Sequence, residues 1–415
     1  MDHNMNDSDR KIPKEEYEYM EEFPEDMDID EYMLAEALEY RDVWIRRIIL
    51  IISIALMCVL AVFVTRAEKK APINQNQQAA KPSEDFLVIS LINEDGILVS
   101  SVVTEYLKTD LLDEKNAGVT PSQFLTQSER WDRQKSVGIH LSTKNVSALY
   151  YKVELSERSD FNRAEIFYAY TGGSYAFKHL YANTQYFYRV TVYTSEGVDS
   201  ETGAFTTADT PRLLSIGGLY NVRDIGNWMT DSGKRIKQGL LIRGTEMDGA
   251  VESGYHLTNE GLEDMLDVFG IKMDMDLRAQ EPGTMDALGS RVEHKYYDMV
   301  MYLNIFNESG KEKIREVFAD LANPDNYPIY MHCTYGRDRT GTVCYLLEAL
   351  LGVSEEDCLK DYGLSNATIA NIKLVENGLR AYEGDTLKEQ TESYLLSCGI
   401  TEEQIQSLRN IFLGD

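Results

Sequence analysis

Cys333 is a cysteine whose neighbours could perform phosphate chemistry. In the stretch YPIYMHCTYGRDRTGTVCYLL, Cys333 follows a short apolar run and opens a polar loop, and Arg339 comes six residues later. A loop that leads from a strand into a helix presents unpaired backbone N–H groups and the positive end of the helix dipole to an anion. The pattern therefore predicts a nucleophilic cysteine that faces a phosphate, and the alternative is a small core residue.

The residues around Cys333 are expected either to bind phosphate or to assist the sulfur. The positive field at the loop favours the thiolate form of Cys333, and Arg339 can return across the loop as a planar fork for two phosphate oxygens. The Thr340 hydroxyl could donate a hydrogen bond to the sulfur as it leaves. We expect His332 to organise the loop, because a thiolate needs no base in its first step. The residues expected to line the bound phosphate are Thr334, Tyr335, Gly336 and Arg337.

The loop matches the signature HCxxGxxRTG, and here the chain resembles the cysteine-dependent protein tyrosine phosphatases. Further landmarks occur in the order typical of the bacterial tyrosine-phosphatase family: GGLYNVRDIGNW (217–228), LLIRGTEMD (240–248), GIKMDMDLRAQEP (270–282) and DYGLSNATI (361–369). The resemblance covers almost all of residues 212–415. It implies a cysteinyl-phosphate intermediate on Cys333, with no cofactor and no metal.

Four positions depart from the family pattern. Gly244 stands where the family has serine, and Asn227 replaces the second glycine of NFRDLGG. Tyr335 stands where alanine is usual, and Arg337 replaces a lysine. Because the last exchange keeps the charge but changes its shape, the substrate preference of the family cannot be carried over.

Three aspartates are candidates for the acid that protonates the leaving group. The resemblance implies Asp338, which lies inside the loop. The rivals are Asp298, about 35 residues before Cys333, and Asp276 in the stretch MDLR. Each also has a structural interpretation: Asp338, for example, could cap the helix, and Asp276 could anchor Arg278. Asp276 is also counted among the residues that could contact the substrate.

Further arginines could serve either the fold or the substrate. Arg223 and Asp224 of NVRDIG are predicted to form a buried pair or a contact in the substrate pocket, and Arg223 is counted among the substrate-binding candidates. Arg243 and Arg278 are lesser candidates for a second anionic contact.

The elements that must position this loop form an α/β domain over residues 212–415. Strand-length apolar runs (LLIRG, IKMDMDLR, YPIYMH) alternate with helical patterns. This alternation predicts a central, mostly parallel sheet flanked by helices, with the ligand at the carboxyl ends of the strands.

The segment before this domain has the pattern of a small β-sandwich. Residues 135–210 contain short runs of alternating polarity separated by turn residues. They resemble a fibronectin type III module, and Tyr186 matches its tyrosine corner. Residues 85–134 are predicted to be partly β and receive no function.

The first 84 residues predict a membrane anchor. Residues 48–64 carry no charge, and the predicted transmembrane helix over residues 43–65 has basic residues near both ends. The acidic residues 1–42 predict a disordered tail, and residues 66–84 a linker. We therefore expect a single-pass protein of a bacterial cell membrane. The sandwich favours an extracytoplasmic phosphatase domain, although a catalytic thiol favours the cytoplasm.

Three functions are consistent with these patterns. The first is a membrane-anchored phosphatase for phosphotyrosine or a related phosphomonoester on a protein. The second is a phosphatase for phosphoinositides or inositol phosphates, favoured by Arg337, and the third is a catalytically silent adhesion or phosphate-binding receptor. A net charge of −28 argues against a nucleic-acid partner.

Overall fold

A computed structural model of the protein describes residues 86–126, 130–249, 254–278 and 286–414. Residues 84–415 form one compact unit, which contains a β-sandwich and an α/β domain. The predicted acidic tail (1–42) and linker (66–84) lie outside the described residues.

The predicted fold class included one transmembrane helix over residues 43–65, and this segment is also outside the described residues. Within those residues, no helix is long and apolar enough to cross a membrane. The longest helices there have 14 residues. They reach about 21 Å at 1.5 Å per residue, whereas the apolar core of a bilayer is about 30 Å thick. The predicted fold class, which contains a membrane helix, is therefore wrong for this structure. The predicted single-pass membrane localisation is corrected for the same reason, because no described helix could span a membrane.

The β-sandwich consists of a three-stranded sheet, β1-β2-β5, and a four-stranded sheet, β4-β3-β6-β7. The strands are β1 (Leu87–Ile92), β2 (Val137–Thr143), β3 (Ala148–Ser156), β4 (Glu165–Ala169), β5 (Gly173–Phe177), β6 (Gln185–Thr194) and β7 (Val198–Thr206). Every second residue of β6 is buried, because successive side chains of a strand point to opposite faces. The Tyr186 hydroxyl accepts a hydrogen bond from the backbone N–H of Tyr181 at 2.8 Å. This contact is the one expected of a tyrosine corner.

The segment between β1 and β2 leaves the sandwich and packs on the α/β domain. It contains helix α1 (Ser101–Tyr106), whose first turn is capped by the Ser100 hydroxyl. Val99, Val103 and Tyr106 are buried in the same apolar cluster as the α/β domain. The region without a predicted function, residues 85–134, thus supplies one strand to the sandwich and a layer of apolar side chains to the neighbouring core.

A second connection between sandwich and α/β domain is made by Arg212, which is 2% exposed. Its guanidinium donates to the backbone carbonyls of Leu180 at 3.1 Å and His179 at 2.6 Å. It also forms an ion pair with Asp224 at 2.8 Å. The buried Arg212 guanidinium is thus held by the Asp224 carboxylate of the α/β domain and by two backbone carbonyls of the sandwich.

The α/β domain contains a five-stranded sheet with the order β11-β10-β12-β9-β8. The strands are β8 (Arg223–Asp224), β9 (Leu241–Gly244), β10 (Met273–Asp276), β11 (Glu293–Tyr296) and β12 (Ile329–His332). The pairs β11–β10, β10–β12 and β12–β9 are parallel, whereas β8 is antiparallel to β9. In this register His332 lies opposite Asp276 on one side and Gly244 on the other. The next residue, Cys333, therefore starts its loop at the carboxyl edge of the sheet.

Seven helices accompany this sheet in the described residues. They are α2 (Asn259–Glu263), α3 (Glu308–Leu321), α4 (Asp338–Leu351), α5 (Glu355–Gly363), α6 (Ala370–Leu379), α7 (Leu387–Ser397) and α8 (Glu402–Leu413). Helix α4 is buried on all sides from Thr340 onwards, as expected for a helix without a polar face. It ends at Gly352, whose φ of 87° suits glycine. Packing thus fixes the position of α4, and its first turn directly follows the loop that starts at Cys333.

Candidate active site

The loop between β12 and α4 is tightly folded around Gly336. This glycine has a φ of 63°, and a Cβ there would lie 2.2 Å from the carbonyl oxygen of Gly244. Cys333 is 4% exposed and Thr340 is fully buried. The Thr340 Oγ1 atom has no hydrogen-bond partner among the described residues. The loop therefore brings its backbone against β9, and the buried Thr340 hydroxyl remains available to a ligand.

The carbonyl side of this loop is held by Arg243, a fully buried residue of β9. Arg243 donates to the Gly336 carbonyl at 2.9 Å and pairs with Asp361 of α5 at 2.9 Å. Arg223 forms a second ion pair with the same carboxylate, also at 2.9 Å. Burial opposes the ionised form of Asp361, but the two guanidiniums hold its pKa below the usual value. One carboxylate thus joins two strands to α5 beneath the loop.

Arg223 consequently faces the protein interior instead of an open substrate pocket, and it is 1% exposed. Its partner is Asp361, whereas Asp224 pairs with Arg212. The two neighbours do not pair with each other because consecutive residues of a strand point to opposite faces. The prediction that Arg223 pairs with Asp224 is therefore wrong. Arg223 does not face a substrate pocket, and instead it binds Asp361 beneath the loop.

Asn221 is a supporting residue that the sequence patterns did not indicate. Its side-chain amide donates to the carbonyls of Tyr335 and Gly336, both at 3.1 Å. Its own carbonyl accepts a bond from Arg223 at 2.6 Å. Asn221 belongs to the recognised landmark GGLYNVRDIGNW, but its contact with a loop more than 100 residues away could not be inferred from spacing.

Arg278 is neutralised by several carboxylates. It forms ion pairs with Asp276 at 2.7 Å, Glu246 at 2.5 Å and Asp248 at 3.0 Å. Asp276 therefore anchors Arg278, which is one of the roles predicted for it from the sequence. A guanidinium with this surplus of negative partners has little attraction left for a phosphate.

The two arginines of the loop differ from Arg223, Arg243 and Arg278. The guanidinium groups of Arg337 and Arg339 form no hydrogen bond or ion pair with another described residue, and both side chains are partly exposed. Buried arginines are normally paired. Among these five arginines, the positive charge that no described carboxylate compensates is therefore carried by Arg337 and Arg339, the arginines of the loop that starts at Cys333.

Asp338, the first residue of α4, contacts a hydroxyl that the sequence patterns missed. The Tyr302 hydroxyl donates to the Asp338 carboxylate and lies 2.8 Å from the Tyr362 hydroxyl. Burial and the neighbouring carboxylate raise the pKa of Tyr302, so it remains a donor. Asp298 is exposed and has a φ of 42°. Of the three candidate acids, Asp338 lies at the junction of the loop with α4, Asp276 is ion-paired with Arg278, and Asp298 is an exposed residue without either contact.

Residues 214–414 match the model of the tyrosine phosphatase family. The matched residues, slightly less than half of the chain, are called the phosphatase domain after this similarity. At the level of the family, the match confirms the predicted class of enzyme, a phosphatase.

Three known proteins illustrate the similarity. A Cupriavidus necator protein that carries the name tyrosine-protein phosphatase is 29% identical over 185 residues, which are 37% of this chain and 63% of that protein. A tyrosine-protein phosphatase of Nostoc commune is 25% identical over 35% of this chain and 67% of its own length. The match thus spans less than two thirds of the Cupriavidus protein. A solved structure, the core catalytic domain of the PP-IP phosphatase SIW14 from S. cerevisiae, is 16% identical with a TM-score of 0.26 over 37% of this chain and 80% of that one.

Two departures of the phosphatase domain from the family pattern have a local structural reason. At Gly244, a Cβ would lie 2.3 Å from the Tyr330 hydroxyl, which donates to the Thr245 carbonyl at 2.7 Å. Serine is excluded there as long as Tyr330 occupies that space. Asn227 has a φ of 78°, a conformation that glycine and asparagine adopt more readily than other residues.

His332 connects the central strand of the phosphatase domain to a neighbouring carboxylate. Its Nε2 atom lies 3.1 Å from Asp274 and its Nδ1 atom 3.9 Å from Asp276. Burial alone would lower the pKa of His332, but these carboxylates raise it to about 9. The residue beside Cys333 is therefore an ion-paired imidazolium near neutral pH, which suits the predicted organising role. Among the described residues, no group of three or more His, Cys, Asp or Glu side chains could hold a metal ion.

We expect the free energy of unfolding to fall as the pH rises from about 6.5 to about 9. Because the pKa of His332 is higher in the folded state (about 9) than in the unfolded state (~6.5), its stabilising contribution is complete below the lower value and is lost as the pH rises through the higher one. Urea unfolding of the protein and of His332→Gln at the two ends of this range measures the effect. An equal loss of stability with pH in both proteins would contradict it.

Proposed function

We propose that the chain is a cysteine-dependent phosphatase that hydrolyses phosphotyrosine on proteins through a cysteinyl-phosphate intermediate. The observation that carries this proposal is the contrast in charge at the loop. Arg337 and Arg339 have no carboxylate partner among the described residues, whereas Arg223, Arg243 and Arg278 are all ion-paired. A nearly buried thiol at the start of such a loop suits attack on a tetrahedral anion.

In the first step, the Cys333 sulfur donates an electron pair to phosphorus, and the bond from phosphorus to the phenolic oxygen breaks. Arg339 and the loop N–H groups hold the three non-bridging oxygens, on which negative charge is concentrated. Asp338 gives its proton to the departing oxygen. Water then attacks phosphorus and gives a proton to the Asp338 carboxylate, the S–P bond breaks, phosphate leaves, and the Thr340 hydroxyl stabilises the released thiolate. The buried and unpartnered Thr340 Oγ1 supports this last role.

The β-sandwich is proposed to be a fibronectin type III-like module. The two-sheet arrangement and the hydroxyl contact of Tyr186 support this. No residue of this module is assigned a role in the chemistry. A second candidate substrate class is inositol phosphates, because Arg337 adds a cation beyond the one that holds the reacting phosphate.

Replacement of Asp338 by asparagine tests the assignment of the acid. We expect the turnover of a phosphotyrosine peptide to fall by about 10²- to 10⁴-fold. The turnover of p-nitrophenyl phosphate should fall much less, because its leaving group departs readily without a proton. Steady-state kinetics with the two substrates give the comparison.

Asp298→Asn is the matched control for this prediction, since it makes the same chemical change on an exposed loop. It should leave both substrates within about twofold of the unchanged protein. A large, leaving-group-dependent loss in Asp298→Asn, with little loss in Asp338→Asn, would transfer the role of the acid to Asp298.

The experiment that tests the function itself is a substrate panel. The full chain is assayed for phosphate release from phosphotyrosine peptides, phosphoserine peptides and inositol phosphates. Preferential hydrolysis of phosphotyrosine supports the proposal, and preferential hydrolysis of inositol phosphates would replace it with the second candidate.

A further inference from the structure

A cleft of about 250 Å³ lies directly beside the catalytic loop. Its walls come from the loop, from the phosphatase domain and from the segment between β1 and β2. The lining residues used below are Arg130, Asp132, Tyr220, Tyr255, Tyr335 and Arg337. Arg130 and Asp132 lie before residue 214, so the family match does not include this wall.

Three tyrosine rings form one side of the cleft. The ring centroids of Tyr220 and Tyr255 are 5.0 Å apart, and those of Tyr255 and Tyr335 are 6.1 Å apart. Tyr220 is 40% exposed and Tyr335 is 46% exposed, so their surfaces are available to a ligand. Tyr335 is the residue that stands where the family has alanine, and it extends the row of rings to the loop.

The charges in the cleft leave one cation uncompensated. Arg130 is ion-paired with Asp132 at 2.7 Å and lies over the Tyr220 ring at 3.5 Å. Asp132 also accepts a bond from the backbone N–H of Asn221 at 3.0 Å. Arg337 has no such partner among the described residues, and its Nε atom is buried without a hydrogen bond. A single available guanidinium beside aromatic surfaces fits a ligand that has one negative charge and an extended apolar part.

We propose that this cleft binds the peptide segment that flanks the phosphotyrosine, with an acidic side chain on Arg337 and the rest of the segment against Tyr220, Tyr255 and Tyr335. The proposal rests on the proposed function, since it extends the same site. A peptide suits the cleft better than an inositol polyphosphate, because several phosphates require several cations and Arg130, the other cation of the cleft, is already paired with Asp132. The segment before the phosphatase domain thereby becomes part of substrate selection.

The test uses three phosphotyrosine peptides that differ only in having Glu, Gln or Lys next to the phosphotyrosine, with p-nitrophenyl phosphate as a reference. For the unchanged full chain we expect kcat/KM for the Glu peptide to exceed that for the Gln peptide by about tenfold, the effect of one charge-assisted contact. Arg337→Gln should bring this ratio close to one. Tyr255→Ala should lower kcat/KM for all three peptides relative to p-nitrophenyl phosphate. Tyr168→Ala, on the exposed face of β4 in the sandwich, is the control and should preserve the tenfold ratio.

The outcomes separate this inference from the proposed function. Equal kcat/KM values for the three peptides, with p-nitrophenyl phosphate still hydrolysed, would overturn the cleft proposal and leave the phosphatase function intact. A tenfold ratio that persists in Arg337→Gln would overturn the assigned contact. Preferential hydrolysis of an inositol phosphate would overturn the peptide as ligand. Failure to hydrolyse any phosphate ester would overturn the function itself.

Discussion

Cys333→Ser is expected to reduce the hydrolysis of an aryl phosphate by at least about 10³-fold, because a serine hydroxyl is a much weaker nucleophile than a cysteine sulfur. The free energy of unfolding should change by only about 1 kcal/mol, since the exchange of sulfur for oxygen preserves the shape of a side chain that is 4% exposed. Phosphate release and urea unfolding, measured on the same preparations, separate the two effects.

Cys398→Ser is the matched control for this variant. Cys398 is another nearly buried free cysteine, 6% exposed, at the end of α7, and burial raises the pKa of its thiol. We expect the control to retain turnover. Unchanged turnover in Cys333→Ser would contradict the covalent mechanism. An equal loss in Cys398→Ser would indicate that stability, rather than chemistry, limits both variants.

Asp361→Asn is expected to lower the free energy of unfolding by about 3–5 kcal/mol, the usual effect of removing one partner from a buried ion pair. The variant leaves Arg223 and Arg243, both almost fully buried, without their shared carboxylate. Because Arg243 also holds the Gly336 carbonyl, turnover should fall together with stability. Urea unfolding and phosphate release measure the two effects.

A surface ion pair provides the control for Asp361. Glu260 pairs with Lys178 at 2.5 Å, and both side chains are more than half exposed. Glu260→Gln should leave the free energy of unfolding nearly unchanged, because water and salt screen such pairs. A similarly small effect in Asp361→Asn would contradict the supporting role described for the buried carboxylate.

The loop itself could be predicted from the sequence because its information is local. The apolar run before Cys333, the glycine in the loop and the apolar run after Thr340 specify strand, turn and helix within about 20 residues. The signature glycine Gly341 also has a contact that explains it, since a Cβ there would lie 2.8 Å from the Tyr362 ring. The resemblance to the tyrosine phosphatases is therefore carried by residues within this short segment.

The supports of the loop could not be predicted in the same way. Asp361 pairs with residues 118 and 138 positions earlier in the chain, and no periodic pattern records which buried charges meet. The same holds for Tyr302, whose hydroxyl reaches Asp338 from a short 3₁₀ helix (Tyr302–Phe306). Hydropathy alone also predicts a membrane helix over residues 43–65, whereas no helix of the described residues is long and apolar enough to cross a membrane.

The packing of α1 on the phosphatase core has a consequence for cooperativity. Val99, Val103 and Tyr106 belong to the cluster that contains the sheet and α4 of the phosphatase domain. A chain cut at residue 212 would lose these side chains and leave apolar surface open to water, at roughly 1.5–3 kcal/mol for each side chain. The residues that precede the catalytic domain therefore act as part of its folding unit, so that sandwich and phosphatase are expected to melt in one transition.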